Sequence, residues 1–410
     1  MSEDASRFEW ARPRTGDERV GAAAGRETVP GTPRGATPPA GAPGARESDA
    51  RRSRPRPARA DAPHDRLADD RIATEPGIES ARDRIPAPAR PRVRFRFGAD
   101  GPVATAPVVR DGTAYLGCAT GCTHAVDLTD GTEVWSVHAG GRVTGPAVAD
   151  GTLYAGTSRG AVLALDAATG DRRWTTETDG DVQATPAVVD GTVFAAADDG
   201  RVAALHPADG SRLRTFRNAA RTLCSVAVDD ERVLLASLAG GAYAHDRTDG
   251  RERWRFRPAV AVGSAPAVDG DTAYLGTVDD GRVCAISAVT GRERWQAETD
   301  GAVWASPTVA DRTVFAGSAD GSVYALDAAD GSVSWRTDLG ARIWASPTVA
   351  DGAVVVGTEA GDVCGIDRQE GTVLWWYRAA DAVVAPVAVE DETAYAADRG
   401  GVLTALSIPE

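Results

Sequence analysis

The chain contains no lysine; all 45 of its basic residues are arginine. Asparagine occurs once, at Asn218, and methionine once. No run of 18 apolar residues exists, so no membrane span is expected. The five cysteines (Cys118, Cys122, Cys224, Cys284 and Cys364) are odd in number and contain no C-x-x-C pair. That argues against a disulfide framework and leaves small buried apolar residues as their reading, with Cys118 and Cys122 close enough in sequence to pair if oxidised. The five histidines, His64, His124, His138, His206 and His245, form no metal-ligand spacing, and no D-x-D-x-D-G loop occurs, so no metal is expected. GxSxG, Walker and Rossmann fingerprints are missing, as is any helical period to carry them. The first twenty residues lack an apolar core and a lipobox cysteine, and Arg51-Arg52 precedes SRPRPARADAP rather than an apolar run. No export signal is read from them, and the cytoplasm is the expected compartment.

What is present begins with acid. Fifty-nine Asp and Glu oppose the arginines, for a net charge of -14. An arginine-only, Asp-rich composition is of the salt-adapted type, where surface carboxylate maintains solubility without specifying a fold. The charge is uneven. Residues 1–90 carry 17 Arg and 15 acidic residues, while residues 91–410 carry 28 Arg and 44 acidic residues. The second segment lacks the basic face that counterion release requires, so no nucleic-acid partner is expected. Residues 1–90 are rich in Arg, Pro, Ala and Gly and nearly free of aromatic and β-branched side chains. Such a segment buries too little apolar surface to offset its ordering entropy and is expected to be a disordered tail. Its cluster Arg51, Arg52, Arg54, Arg56 and Arg59 is followed by Asp61, Asp65, Asp69 and Asp70, a solvated polyampholyte.

From residue 91 one unit is repeated. Prolines recur at Pro107, Pro146, Pro186, Pro266, Pro307, Pro347 and Pro386, with Val226 in the gap, 39 to 41 residues apart. Each unit then carries a strand-like run and a tight turn. An apolar strand follows, ending at Asp127, Asp166, His206, Asp246, Ser287, Asp327, Asp367 or Ser407. After a glycine turn comes tryptophan at Trp135, Trp174, Trp254, Trp295, Trp335 or Trp375, with Arg214 in the third unit. Four short strands per 40-residue period predict an all-β, eight-bladed β-propeller of four-stranded antiparallel blades, because one such sheet can bury both faces only between neighbours. The last unit is one strand short. Phe95 lies twelve residues before Pro107, as Trp254 lies twelve before Pro266. Strand 92–97 is therefore expected to complete the last blade and close a ring spanning 91–410.

The unit A-x-D-x-x-[TD]-G-x-x-x-W stands as Ala164 to Trp174 and again as Ala325 to Trp335. It resembles the tryptophan-docking motif of the eight-bladed PQQ-like propellers, which include quinoprotein alcohol dehydrogenases and BamB-like proteins. The resemblance covers the whole repeated region. It implies that the six tryptophans dock between blades and are structural rather than ligand-binding. A dehydrogenase of that family would carry long inserted loops, adjacent cysteines and calcium ligands; this chain has uniform short repeats instead. The resemblance implies a non-catalytic, BamB-like scaffold without a bound cofactor, with a PQQ- or sugar-binding propeller as the alternative.

The segment before each proline is expected to face the mouth of the central channel. Three positions before it stand Ala104, Val143, Gln183, Leu223, Gly263, Trp304, Trp344 and Val383. Trp304 and Trp344 on adjacent blades, with Arg342 nearby, are the candidate binding residues, together with Gln183; their aromatic faces suit a partner loop or a planar ligand. The units in which Arg214, His206 and Val226 replace the repeat residues are a second candidate surface. Phe216 is expected to take over from the absent tryptophan there. A monomer that binds another protein is the reading of the whole.

Overall fold

A computed structural model describes residues 89–217, 225–238, 241–258, 260–350 and 352–409. The expected tail over 1–90 falls almost wholly outside them. Among the described residues there are thirty-two strands, numbered β1 to β32 in chain order, in eight four-stranded sheets. Every pairing within a blade is antiparallel, so the expected architecture is the observed one. Blade 1 shows the pattern: β2 (Val108–Arg110), β3 (Thr113–Gly117), β4 (Cys122–Asp127) and β5 (Glu133–His138), paired in sequence order from the axis outward. No helix of the described residues is long and apolar enough to cross a membrane.

The last blade is assembled from both ends of the described chain. β30 (Ala388–Glu390), β31 (Thr393–Ala397) and β32 (Val402–Ser407) pair in order, and β1 (Arg92–Gly98) adds the outer strand. Phe95 pairs with Ala405 in the register that Trp335 holds with Ala325. Its ring packs against Gly131 of blade 1 and joins a core of Val103, Leu116 and Leu403.

Strand alternation explains the cores. In β24 (Ser322–Asp327) every residue but the last is buried, because one side chain set faces the preceding blade and the other the following blade. A strand buried on both faces must be apolar throughout, which is what the sequence VYAL supplies. The outer strand β25 (Val333–Asp338) has one exposed edge and alternates. A β-bulge at Ala325/Leu326 leaves Ser334 unpaired just before Trp335, and the same irregularity recurs beside Trp135, Trp174, Trp254, Trp295 and Trp375.

The indole N–H of five of the six docking tryptophans crosses to the next blade. Trp135 donates to Ala167 O at 2.9 Å, Trp174 to Pro207 O at 2.7 Å, and Trp254 to Ala288 O at 2.8 Å. Trp295 and Trp335 donate to Ala328 O and Arg368 O, each at 3.0 Å. The acceptor belongs to the turn that the motif Asp organises: Asp166 Oδ1 accepts from Ala168 N and Thr169 N, Asp327 Oδ1 from Ala329 N. The stand-ins behave alike, since His206 Nδ1 accepts from Ala208 N and Ser287 Oγ from Thr290 N. The turn glycines adopt positive φ, and at Gly331 a Cβ would stand 2.5 Å from the Trp295 ring, so glycine is required twice over.

Two units solve the docking differently. In the third blade the tryptophan's duties are divided. Arg214 Nη1 donates to Arg247 O at 3.1 Å, while the buried Phe216 supplies the ring against Phe194 and His245. The seventh blade departs from the expectation for Trp375. Its indole is 1% exposed, its Nε1 meets no acceptor, and it lies over Gly365 on the partner strand of its own blade. Gly365 stands where the other blades have alanine, and β32 is followed by Ile408 and Pro409 rather than by a glycine turn. The indole therefore turns inward, where the missing Cβ leaves room.

Candidate functional site

The expected mouth residues stand on the segments that connect one blade to the next. Each is clamped from both sides. Val303 N donates to Thr277 O of blade 5, while Ala302 O accepts from Ala319 N of blade 6. Ile343 N likewise donates to Ser318 O of blade 6, and Arg342 O accepts from Glu359 N of blade 7. Val303 and Ile343 are fully buried. Trp304 and Trp344 follow them directly and are half-buried, so the clamp fixes where each indole leaves the backbone.

The two rings meet at 6.3 Å between centroids with planes inclined by 58°. Trp304 leans the other way over Gly263 of the preceding segment, where a Cβ would lie 3.1 Å from the ring. Two residues after each of these indoles, hydroxyls are linked from blade to blade: Ala265 N donates to Ser306 Oγ, and Ser306 N to Ser346 Oγ, both at 2.9 Å. Thr308 Oγ1 adds a bond to Pro347 O at 2.6 Å. This hydroxyl chain fixes the spacing of blades 5, 6 and 7, and nothing in the repeat marked Ser306 and Ser346 for it beyond their place before proline.

The other expected mouth residues divide. Gln183 is half-buried on the segment leading to blade 3, away from the aromatic pair. Arg342 is exposed, and its Nη1 stands 3.9 Å from Glu359 Oε2, so its charge is directed toward blade 7. Val143 and Val383 are buried and donate to Cys118 O and Thr358 O, the place held by Val303 and Ile343 elsewhere. Counting back from proline therefore slips by one in those two segments. The signal was available: Trp135 to Pro146 and Trp375 to Pro386 span eleven residues, against twelve in the other tryptophan-bearing units. Leu223 lies outside the described residues, as does Cys224.

Of the cysteines, Cys118, Cys284 and Cys364 are buried and Cys122 is half-buried. Burial, helped by the charges of Glu293 and Asp280, pushes the Cys284 thiol up to about 12. It is expected to resist alkylation by iodoacetamide at about pH 8 in the folded protein, since the thiolate is the nucleophile. Peptide mapping that finds Cys284 modified before unfolding would contradict the buried placement.

The residues 119–226, 217–306 and 300–409 match a family described as outer membrane protein assembly factor BamB. A sequence search of the curated proteins found no match. Among solved structures, BamB from Moraxella catarrhalis is similar at 20% identity and a TM-score of 0.68, over 78% of this chain and all of that one. The computationally designed Ika8 protein is similar at 17% identity and a TM-score of 0.70, over 77% of this chain and all of that one. The quinohemoprotein alcohol dehydrogenase from Comamonas testosteroni is similar at 14% identity and a TM-score of 0.64, over 78% of each chain. At these identities the likeness is one of fold, whereas the family match runs along almost the whole ring. The chain belongs to the PQQ-like propeller family described as outer membrane protein assembly factor BamB.

Proposed function

We propose that this chain is a non-catalytic scaffold that binds a protein partner at the channel mouth, with Trp304 and Trp344 as anchors. The observation that carries the reading is the half-buried indole pair, in mutual contact and held on segments clamped to both neighbouring blades. Tryptophans with little left to order on binding are the side chains that most often dominate an interface. The name of the matched family, an assembly factor, is in keeping with a partner-binding role. The same faces would also stack on a planar ring, so a quinone cofactor or a sugar is the second reading, in keeping with the fold shared with a quinohemoprotein dehydrogenase.

The Trp304→Ala, Trp344→Ala double variant is expected to melt close to the parent, because both rings are only half-buried. It is expected to lose partners that the parent and a Gln183→Ala control retain in an affinity pull-down. Each truncation should remove about 2 kcal/mol or more of binding free energy. Retention of every partner by the double variant would sink the anchoring role. Titration with PQQ separates the second reading: a cofactor protein gains several degrees of melting temperature with the ligand, and a scaffold gains none.

A further inference from the structure

The hairpin joining β3 and β4 gathers a second chemical cluster, in blade 1 rather than beside the aromatic pair carried by the segments that enter blades 6 and 7. Ligand atoms of Cys118, Cys122 and His124 all lie within 4.8 Å of one another. Cys118 and His124 are 1% exposed, and Cys122 is half-buried. His124 Nδ1 meets Glu133 Oε1 at 2.7 Å, which leaves Nε2 as the free nitrogen. That Nε2 is buried and has no hydrogen-bond partner. An orphaned buried nitrogen is costly, and here it is carried by a histidine grouped with two cysteines. His138, at the end of β5, brings Nδ1 to 3.5 Å from Cys122 Sγ.

We propose that Cys118, Cys122, His124 and His138 form a binding site for a thiophilic divalent cation of the zinc class. The donor set suits that cation. Two thiolates and two imidazoles make a tetrahedral S2N2 shell, the combination that selects zinc over the oxygen-seeking ions. Zinc holding sulfur at about 2.3 Å and nitrogen at about 2.0 Å separates its ligand atoms by about 3.5 Å. Cys118, Cys122 and His124, whose ligand atoms lie within 4.8 Å of one another, must draw together to reach that spacing, and the exposed His138, in contact with Cys122 alone, must swing in as the fourth ligand. The Glu133 carboxylate on the far nitrogen of His124 is the outer partner that orients a metal-bound imidazole and raises its basicity. Binding replaces the two thiol protons with the cation, the protons passing to solvent, so the site remains neutral.

The place of the cluster gives the cation a structural role. The Cys118 side chain belongs to the core that Phe95 of β1 completes, and Phe97 of β1 stands edge-on to the His124 ring at 5.5 Å. Ala119 of the hairpin donates to Pro102 O, in the segment that leads from β1 into blade 1. A cation at this point ties blade 1 against the strand that closes the ring. The equivalent hairpins of the other blades carry no such set of ligands among the described residues.

The test uses the full chain, reduced and freed of metal. Addition of Co2+ is expected to produce thiolate-to-cobalt charge-transfer absorption and the d–d bands of a tetrahedral site, saturating at one equivalent and displaced by Zn2+. Saturating Zn2+ should raise the melting temperature by about 5 °C or more. Cys122→Ser should abolish most of the charge-transfer band, and Glu133→Gln should weaken binding by about 10- to 100-fold. Cys284→Ser should change neither. Cys118 is buried and its substitution could prevent folding, so the partly exposed Cys122 and the exposed carboxylate of Glu133 carry the test. The proposal is overturned by the lack of a charge-transfer band, or by a band that survives Cys122→Ser. It is also overturned if the reduced chain melts identically with and without Zn2+ and the two thiols instead form a Cys118–Cys122 disulfide.

Discussion

Deleting residues 1–98 should lower the melting temperature by about 10 °C or more, whereas deleting residues 1–85 should leave it unchanged. The longer deletion removes β1 and reopens the ring. It takes the outer ladder from β32 and exposes the core around Phe95, Val103 and Leu403. It also removes the bonds of Arg94 Nη1 to Thr393 Oγ1 and of Arg96 Nη2 to Tyr377 OH. Loss of a buried phenylalanine alone costs about 3–5 kcal/mol. At about 2–4 °C per kcal/mol for a large domain, that term by itself accounts for the shift. The shorter deletion retains Ala89, whose amide donates to Leu374 O at the edge of blade 7, and all of β1. Scanning calorimetry of both variants decides the matter. Equal melting of the two would mean that β32 is stable without its outer strand and that closure rests elsewhere.

The second large effect is expected at Trp375. Trp375→Ala should cost about 3–5 kcal/mol in chemical denaturation, since a fully buried indole leaves a cavity among Val355, Val363, Val383 and Leu406. Phenylalanine substitutions separate the two kinds of tryptophan. Trp335→Phe orphans the Arg368 carbonyl and should cost about 1–3 kcal/mol beyond the loss of ring area. Trp375→Phe forfeits no such bond, so its cost should be smaller. Gly365→Ala completes the argument. A Cβ there would stand 2.2 Å from the indole, which must rotate or strain, at about 1–3 kcal/mol. Identical losses for Trp335→Phe and Trp375→Phe would show that the inward orientation of Trp375 is not maintained in solution.

Most of the fold was legible in the residues. A period of 39 to 41 residues, apolar runs suited to burial on two faces, and a tryptophan after six of the glycine turns leave few architectures open, because a sheet with two apolar faces is stable only between two others. Phe95 twelve residues before Pro107 pointed to the closing strand by spacing alone. The irregular units were legible as irregular, yet not in how they would be repaired. That Arg214 would take the hydrogen bond and Phe216 the ring contact depends on which turn carbonyl the neighbouring blade presents. The slip of Val143 and Val383 into the buried register likewise follows from clamps to two other blades.

The sequence by itself determined the repeat, the four-strand unit, the motif turns and the two tryptophans, Trp304 and Trp344, that stand three residues before a repeat proline. These are local properties: side-chain alternation, turn chemistry and fixed intervals along one chain. Only the tertiary structure decided what meets across blades. It turned Trp375 inward over Gly365, linked Ser306 to Ser346, and sent Arg342 toward Glu359. It also brought His124 and His138 to the Cys118–Cys122 hairpin, although no linear spacing among them resembles a ligand motif. The physical reason is the same in each case. A strand places every second side chain on a common face, and pairing lays distant intervals side by side, so proximity is set by register and closure rather than by distance along the chain.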